Sequence, residues 1–419
     1  MGKNIIADHA KWPRLEDAIF KISGECKKAI AKKGKDKIIN STLGTLIDDD
    51  GNIIAFDSVY DTLKNMDKKD IASYGAIEGD KEFLDLVIEK CFGAYKPKGF
   101  IKSVATAGGS GAVRHTIWTL SGVGDYVICP NWYWPAYATM CEEYGRKFLN
   151  YEFLDENFEF NLKEFTKALD FSLEKKDRVV CVFNSPANNP TGFSIEDSMW
   201  DKILEIIKDR ADDGKYIAIL LDVAYIEFAG DGRQKKFFQK FGELPENIIT
   251  TIAYSMSKSY TAYGLRSGAC IIVSSNEEIA NQVFDSMKHS NRAIWSNITH
   301  AGMNILVDLE KDEKKKKSYE KELEFYRIML EKRAKAFTEN SKKVGLVTLQ
   351  YFGGFFISIP CKNSKKIAEK LKERDMYIVA NKEGLRFAVC AVSEEKCKIS
   401  PKIIKDAMDE INNLKNLEK

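Results

Sequence analysis

Residues 255–266 read S-M-S-K-S-Y-T-A-Y-G-L-R, and they follow an apolar run rich in β-branched residues at 248–254. That run predicts a buried strand, so Lys258 lies where the strand has just ended. The two serine hydroxyls that precede Lys258, on Ser255 and Ser257, and the guanidinium of Arg266 are donors that suit a phosphate monoester. An amine beside a phosphate site indicates pyridoxal phosphate, which needs a lysine and a phosphate anchor. A serine-capped turn in a lysine-rich chain is the alternative interpretation.

The composition is typical of a soluble globular protein. The chain has 419 residues, of which 44% are hydrophobic and 30% charged, and this length predicts two domains. A net charge of +2 gives no support for a nucleic-acid or membrane partner. The nine cysteines have no metal-site spacing, and their odd number fits a reducing compartment. Because the sequence shows neither a signal peptide nor a membrane span, we expect a cytoplasmic protein without a metal.

From residue 101 onward, apolar strand-like runs alternate with helical patterns. The helical patterns at 200–211 and 278–289 lie between such runs, which is the βαβ alternation of a mostly parallel sheet covered on both faces. We therefore predict an α/β fold whose large domain has a mostly parallel seven-stranded sheet flanked by helices. The strand candidates are residues 101–106, 125–130, 147–153, 178–186, 216–222, 247–254 and 268–275.

The two ends of the chain predict a smaller α+β domain. A helix is expected from Leu15 to Lys33, before a short strand and a D-D-G-N turn. A long charged helix is expected at 308–339, followed by strand-like and helix-like runs to the C-terminus. The predicted division is an N-terminal arm with part of the small domain at residues 1–48, the large cofactor-binding domain at 49–318, and the C-terminal small domain at 319–419.

Ligands of open α/β sheets bind beyond the carboxyl ends of the strands, so the residues there are the candidates for chemistry. The turn at 108–111, G-G-S-G, enters a helix whose first N–H groups could cradle an anion. Asp222 ends another strand, and a buried carboxylate is costly unless it is paired. A protonated pyridine nitrogen would pair it and keep the ring an electron sink. Bonds to local backbone donors are the alternative for this carboxylate.

Two further strand ends carry aromatic and amide side chains. The segment at 132–134 reads W-Y-W, and a flat ring could stack on an indole there, although core packing is the commoner fate of such residues. Asn189 lies in N-N-P-T-G and precedes a proline, which favours an extended backbone that can turn the amide outward. A turn without any function is the alternative for this motif.

The order of these motifs resembles the class I, fold type I pyridoxal-phosphate-dependent aminotransferases, especially the aspartate and aromatic amino acid enzymes. The glycine-rich turn, the aromatic segment, N-P-T-G, D-x-x-Y, S-x-S-K with its downstream arginine and a late arginine occur here in the order of that family. The resemblance covers nearly the whole chain. It implies a homodimer with shared active sites that moves an amino group from an L-amino acid to a 2-oxo acid such as 2-oxoglutarate.

The resemblance also implies a role for each matching residue. Lys258 would be the Schiff-base lysine and proton shuttle, Asp222 would bind the pyridine nitrogen, and Asn189 with Tyr225 would bind the ring's 3-oxygen. The residues that match the phosphate site, the last of them reaching in from the neighbouring subunit, are Gly109, Ser110, Gly111, Ser255, Ser257, Arg266 and Tyr74.

The cofactor site matches the family pattern incompletely at two points. The family's P-x-W selects Trp132 as the stacking indole and its W-P selects Trp134, and we predict Trp132. Asn184 and Asn188 stand where the family can have histidines, so the surroundings of the cofactor differ from those in the aspartate enzymes.

The expected substrate follows from arginines, since a guanidinium is the natural bidentate partner of a carboxylate. Arg386 matches the arginine that holds the α-carboxylate, and Gly44 matches a glycine of the substrate pocket. Arg292 matches an arginine that crosses the dimer interface to bind a side-chain carboxylate, with a surface loop arginine as the alternative. We therefore predict aspartate or an aromatic amino acid as donor. A lyase or decarboxylase using the same cofactor, and a ligand sensor without turnover, are the alternative functions.

Overall fold

The structure, a computed structural model, describes residues 5–12, 18–211, 214–230 and 233–417. Its strands form a sheet of seven strands and a sheet of four. The strands are β1 Ile39–Ser41, β2 Phe100–Ala107, β3 Tyr126–Pro130, β4 Lys147–Tyr151, β5 Arg178–Asn184, β6 Tyr216–Asp222, β7 Ile248–Ser255, β8 Ser267–Ser274, β9 Phe356–Pro360, β10 Met376–Ala380 and β11 Gly384–Ala388.

The helices alternate with the strands of the large sheet and continue into the small one. They are α1 Ala18–Lys33, α2 Asp57–Lys64, α3 Lys68–Ala72, α4 Lys81–Phe92, α5 Gly108–Leu120, α6 Ala136–Glu143, α7 Leu162–Lys175, α8 Asp197–Arg210, α9 Met256–Ser259, α10 Glu277–Ile294, α11 His300–Lys311, α12 Glu313–Lys343, α13 Ser364–Glu373 and α14 Glu394–Leu417.

The large sheet confirms the predicted α/β fold. Its strand order is β2-β8-β7-β6-β5-β3-β4, and all neighbours are parallel except those of β8, which runs antiparallel to both β2 and β7. A parallel connection needs a crossover, usually a helix of useful length. Only the four residues of α9 are helical between β7 and β8, so the chain turns back instead.

Helices cover both faces of the large sheet, and the burial pattern of β6 shows why its strands are apolar throughout. Ile217, Ile219 and Leu221 belong to one buried cluster, whereas Ala218 and Leu220 belong to another. Successive side chains of a strand point to opposite faces. Positions 217–221 of β6 are therefore all used for a core, and the polar Asp222 lies at the end of the strand.

The small sheet joins the two ends of the chain. Its order is β1-β10-β11-β9, in which β1 lies parallel to β10 and the other pairs are antiparallel. This sheet agrees with a small α+β domain made from N- and C-terminal segments. The domain limits themselves stay a prediction, and the limit at residue 318 falls inside α12.

Three local expectations need comment. The continuous charged helix at 308–339 is wrong, because Asp312 ends α11 and its carboxylate accepts hydrogen bonds from the first N–H groups of α12. The segment around Arg292, considered as a loop, instead forms the last turn of α10. The predicted helix start at Leu15 lies outside the described residues.

A buried aromatic cluster on α8 should carry much of the stability of the large domain. Trp200 is fully buried, stacks on Phe237 at 5.5 Å and meets Phe183 edge-on at 5.2 Å between ring centres. Trp200→Ala should lower the free energy of unfolding by about 3–5 kcal/mol, because it removes these contacts and leaves a cavity. Urea unfolding measures the loss. Trp200→Phe should cost clearly less, and equal losses would contradict the importance of aromatic contacts here.

Candidate active site

The carboxyl ends of parallel strands gather the predicted residues at one edge of the large sheet. β5 ends at Asn184, which is the register partner of Asp222 at the end of β6. Asp222 is in turn the partner of Ala253, close to the end of β7, and Lys258 follows β7 on α9. The glycine-rich turn follows β2, which has the same direction as these strands. Residues far apart in the sequence thus come to lie at a single edge.

Lys258 is surrounded by rings and backbone. Its Nζ lies 5.0 Å from the centre of the Tyr263 ring and 5.8 Å from that of Tyr225, and it donates to the Gly44 carbonyl at 3.0 Å. Burial disfavours the ammonium and lowers the pKa of Lys258 to about 8, and nearby guanidinium groups act in the same direction. A useful fraction of the amine is therefore neutral near physiological pH, as a nucleophile must be.

Asp222 is a buried carboxylate held by specific donors. The Tyr137 hydroxyl donates to one carboxylate oxygen at 2.5 Å, and the Ala224 N–H donates to the other at 3.2 Å. The Asn184 amide donates to the Asp222 carbonyl at 2.8 Å. Burial raises the pKa of Asp222, whereas the Tyr137 and Ala224 bonds oppose that rise by stabilising the anion. The site is therefore suited to a cationic partner, which would complete the stabilisation of the carboxylate.

Asn184 and Asn188 hold the N-P-T-G turn. The Asn184 side-chain oxygen accepts from the Asn189 N–H at 2.6 Å. Asn188 accepts from both the N–H and the hydroxyl of Thr191, at 3.2 and 2.8 Å. Arg386 donates to the Asn189 side-chain oxygen at 3.4 Å. These bonds fix where the Asn189 amide lies.

Arg266 forms the centre of a candidate anion site. Its guanidinium donates to Ser257 Oγ at 3.2 Å and to Ser110 Oγ at 3.4 Å, which joins the segment after β7 to the turn after β2. A Cβ on Gly108 would lie 2.8 Å from a guanidinium nitrogen, and its φ of +67° is one that glycine tolerates. The other predicted members of the site belong to the same two segments: Gly109, Gly111 and Ser255.

The small sheet supplies the opposite wall. Arg386 on β11 donates to the Thr42 carbonyl at 2.7 Å, and its guanidinium lies 4.3 Å from the centre of the Phe356 ring. A Cβ on Gly44 would lie 2.7 Å from that same ring. Tyr225 meets Phe356 edge-on at 5.8 Å between ring centres. Phe356 thus fills the space between the arginine and the tyrosine, and only glycine fits at position 44 beside it.

The two candidate indoles have different surroundings. Trp132 is buried, and its ring tip would lie 2.9 Å from a Cβ on Gly384 of the small sheet. Trp134 is partly exposed and meets Tyr137 edge-on at 5.4 Å between ring centres. Since Tyr137 is the hydrogen-bond partner of Asp222, the contacts connect Trp134, and not Trp132, to that carboxylate.

Tyr74 and Arg292 lie outside this cluster. Tyr74 is 90% exposed, and Arg292 is also exposed at the end of α10, where it donates to Ser296 Oγ at 2.6 Å. The Asn297 amide donates to the Gly75 carbonyl at 3.4 Å, which links the two segments. The two exposed side chains therefore belong to segments that contact each other.

Two residues of the site had no role in the sequence-based prediction. Tyr137 completes the partners of Asp222, but a tyrosine early in an amphipathic helix usually indicates core packing and gives no signal of its own. Phe356 contacts the Arg386 guanidinium, and only the unusual G-G-F-F run that contains it could have pointed to a close-packed wall.

Within residues 5–12, 18–211, 214–230 and 233–417, no three His, Cys, Asp or Glu side chains come together in a way that could hold a metal ion. Nor does any helix of those ranges combine the length and the apolar character that crossing a membrane requires.

Fold and site together define an α/β protein that presents a poised amine, a buried carboxylate and an arginine-serine anion site at one sheet edge. The family model described as "Aminotransferase class I and II" matches residues 36–400. The chain therefore belongs to the aminotransferase class I and II family.

Individual relatives agree with this assignment. The chain is similar to an aromatic-amino-acid aminotransferase of Pseudomonas aeruginosa, with 26% identity over 60% of this chain and 62% of that relative. It is also similar to an aspartate aminotransferase of Salmonella typhi, with 25% identity over 73% of this chain and 77% of the relative.

Solved structures give the same result for the fold. An aminotransferase from Anaerococcus prevotii has 43% identity and a TM-score of 0.95, over 97% of this chain and 99% of that one. An aromatic-amino-acid aminotransferase from Burkholderia pseudomallei, covalently bound to pyridoxal phosphate, has a TM-score of 0.78 at 20% identity, over 95% and 98% of the two chains. At 20% identity, the similarity to the Burkholderia pseudomallei structure is evidence for a shared fold only.

The lowered pKa of Lys258 can be measured directly once any aldehyde bound to its amine has been removed. Reductive alkylation by a small aldehyde and cyanoborohydride should increase with pH around a midpoint near 8 at Lys258, because only the neutral amine attacks. Mass spectrometry of the peptide containing this lysine gives the rate, and Lys258→Ala provides the blank. A midpoint at the ordinary lysine value of about 10.4 would contradict the effect of burial.

Proposed function

We propose that this protein is a pyridoxal-phosphate-dependent transaminase that moves the amino group of aspartate or an aromatic amino acid to a 2-oxo acid such as 2-oxoglutarate. The observation that carries the proposal is the position of Lys258. Its amine, with a pKa lowered to about 8, follows a strand between the buried Asp222 and the arginine-serine anion site. Each of these three groups matches one part of the cofactor.

The residues present fit pyridoxal phosphate. Arg266, Ser110 and Ser257 offer charged and neutral donors to a phosphate, and the α5 N-terminus adds free N–H groups beside them. Asp222 would hold a protonated ring nitrogen, and its Tyr137 bond stabilises the carboxylate anion against the burial that raises its pKa. Asn189 would donate to the ring oxygen from its fixed turn, as would Tyr225, whose pKa burial raises and so keeps protonated.

The chain's own groups divide the work of the reaction. When bound, the cofactor supplies an aldehyde carbon and a ring that accepts electrons. Lys258 Nζ would be the covalent attachment point for that carbon, and as a free amine it would be the base that accepts and moves the Cα proton of the amino acid. Asp222 would hold the ring nitrogen in its protonated form. Arg386 orients the amino acid through its α-carboxylate, and Phe356 excludes water from one side of that contact.

We propose Trp134, rather than the predicted Trp132, as the indole that stacks on the cofactor ring. Trp134 touches Tyr137, which bonds to Asp222, so a ring held by Asp222 would lie near this indole. Trp132 is buried against the small sheet. Its role is then to pack the small sheet against the large one.

The exposed residues favour a homodimer with shared sites. Tyr74 and Arg292 are exposed on two segments that contact each other, and Ile71 and Ile294, close to them in the chain, are exposed apolar residues. An exposed tyrosine and arginine beside apolar side chains are typical of a protein interface. A second copy of the chain would thus receive Tyr74 at its phosphate site and Arg292 at its substrate side chain.

Replacing Lys258 tests the central role. Lys258→Ala should bring amino-group exchange between aspartate and 2-oxoglutarate below detection, because no other amine follows β7 beside Asp222. In the unaltered protein, the visible band of bound pyridoxal phosphate should shift on adding aspartate or phenylalanine, and the variant should lose this shift. Lys208→Ala, on the exposed face of α8, serves as the control.

Other outcomes of this experiment select the alternative functions. Release of pyruvate or ammonia without exchange would indicate a lyase, and a spectral change without any product would indicate a sensor. Full exchange by Lys258→Ala would contradict the proposal.

Arg292 should decide which donor is preferred. Arg292→Leu should lower kcat/KM for aspartate by about 100-fold, since two charge-assisted bonds to a carboxylate contribute about 3 kcal/mol or more. Phenylalanine, which has no side-chain carboxylate, should change by less than about 3-fold. Arg178→Leu, an exposed arginine at the start of β5, controls for loss of surface charge. Equal losses for both donors would make Arg292 a structural residue.

A further inference from the structure

Asn291 lies next to Arg292 but is fully buried. Its side-chain oxygen accepts from Trp295 Nε1 at 2.8 Å and contacts His115 Nε2 at 2.7 Å. Its side-chain nitrogen donates to the carbonyls of Ile77 at 2.7 Å and Ala105 at 2.9 Å. Both hydrogens of the amide and both acceptor positions of its oxygen are in use, which is the full capacity of an asparagine.

The surrounding groups fix the direction of this amide. Arg114 can only donate, so its contact with His115 Nδ1 at 3.2 Å makes that nitrogen an acceptor and places the ring hydrogen on Nε2. Burial lowers the pKa of His115 to about 4, so the ring is neutral. Two donors therefore face one end of the Asn291 amide and two carbonyls face the other. A flipped amide would lose all four bonds.

The four partners belong to different parts of the site. Ala105 precedes the glycine-rich turn on β2, and His115 lies on the helix that follows that turn. Ile77 belongs to the segment of Tyr74. The Trp295 ring would lie 3.2 Å from a Cβ on Gly111, so this indole packs directly on the first turn of α5.

We propose that Asn291 is a positioning residue whose amide fixes the Tyr74 segment and the Arg292–Trp295 end of α10 against the glycine-rich turn. The inference rests on the proposed transaminase function. It adds a reason why two exposed side chains, Tyr74 and Arg292, reach a second copy of the chain in a defined geometry. Both side chains project from backbone segments, and the buried Asn291 amide fixes these segments against the anion site of their own chain.

The Tyr74 segment is held to β2 by one backbone hydrogen bond and by the side chain of Asn291. The Ala105 N–H already donates to the Glu78 carbonyl at 2.7 Å, which lays residues 77 and 78 beside β2. The Asn291 side-chain nitrogen then donates to both the Ala105 carbonyl and the Ile77 carbonyl, and so joins the two segments. Without the amide, the buried Ala105 carbonyl and the partly buried Ile77 carbonyl would lose this donor, and the short segment around Ile77 would be the part free to move toward water.

The test uses two variants of the complete protein with bound pyridoxal phosphate. Asn291→Leu keeps the approximate size and removes every side-chain hydrogen bond, whereas Trp295→Phe removes one of the two donors to the amide oxygen together with part of the ring that packs on α5. Leu204→Ala, in the buried face of α8, controls for general destabilisation. Hydrogen exchange of residues 74–79 and the steady-state constants for aspartate and phenylalanine are measured for all of them.

The expected result for Asn291→Leu is faster exchange at residues 74–79 and a KM for aspartate raised about 10-fold or more, with kcat and the phenylalanine constants changed much less. A mutation far from the reacting atoms that misplaces a group by about 1 Å can lower the reaction rate about 100-fold, so a 10-fold change in KM is a moderate expectation. Trp295→Phe should shift the same quantities in the same direction to a smaller extent, and it decides the question if Asn291→Leu does not fold.

Unchanged exchange at residues 74–79, or equal losses for the two donors as in Leu204→Ala, would overturn the proposal. If the unaltered protein does not exchange amino groups at all, the proposed function fails. The exchange of residues 74–79 then still decides whether Asn291 fixes that segment, because it does not depend on turnover.

Discussion

The constraint on which this site depends is the cost of keeping a carboxylate and an amine away from water at a sheet edge. Asp222 is the last residue of β6, whose residues 217–221 belong to two cores, so its carboxylate enters the protein interior at the end of the strand. Tyr137 and Ala224 stabilise the anion, and Lys258 responds to the same burial by becoming a weaker base. Burial thus makes Asp222 a carboxylate that favours a cationic partner and makes Lys258 an amine that can act as a nucleophile.

The reversed strand β8 places the anion site beside this pair. Because the connection from β7 is too short for a helical crossover, the chain turns directly after Lys258 and brings Arg266 back to the sheet edge. There the guanidinium meets the turn after β2, since β8 is the neighbour of β2. The distance in sequence between Lys258 and Arg266 therefore reflects a structural requirement, and the short stretch that contains both fixes the strand order on that side of the sheet.

Much of the fold could be predicted because β-branched runs and helical periodicity are local signals. All seven strands of the large sheet follow from them, as does the edge at which Asp222 and Lys258 meet. The break at Asp312 could not be predicted in this way, since a charged N-cap looks like one more residue of a solvated helix. Tyr137 and Asn291 were missed for a related reason. Their roles depend on partners distant in the chain, His115 and Asp222 among them, which only the folded arrangement brings into contact.

The same reasoning explains why an exposed residue can be more informative than a buried one. Tyr74 and Arg292 are both exposed, yet the buried Asn291 amide holds the Ile77 carbonyl in the segment of Tyr74, and Asn291 directly precedes Arg292 in the chain. A side chain that serves only solubility does not need such support. An exposed pair on a fixed base is expected where the side chains must meet a ligand or a second chain at a set distance. The rigidity below this surface is therefore an argument for its function that the exposure alone does not provide.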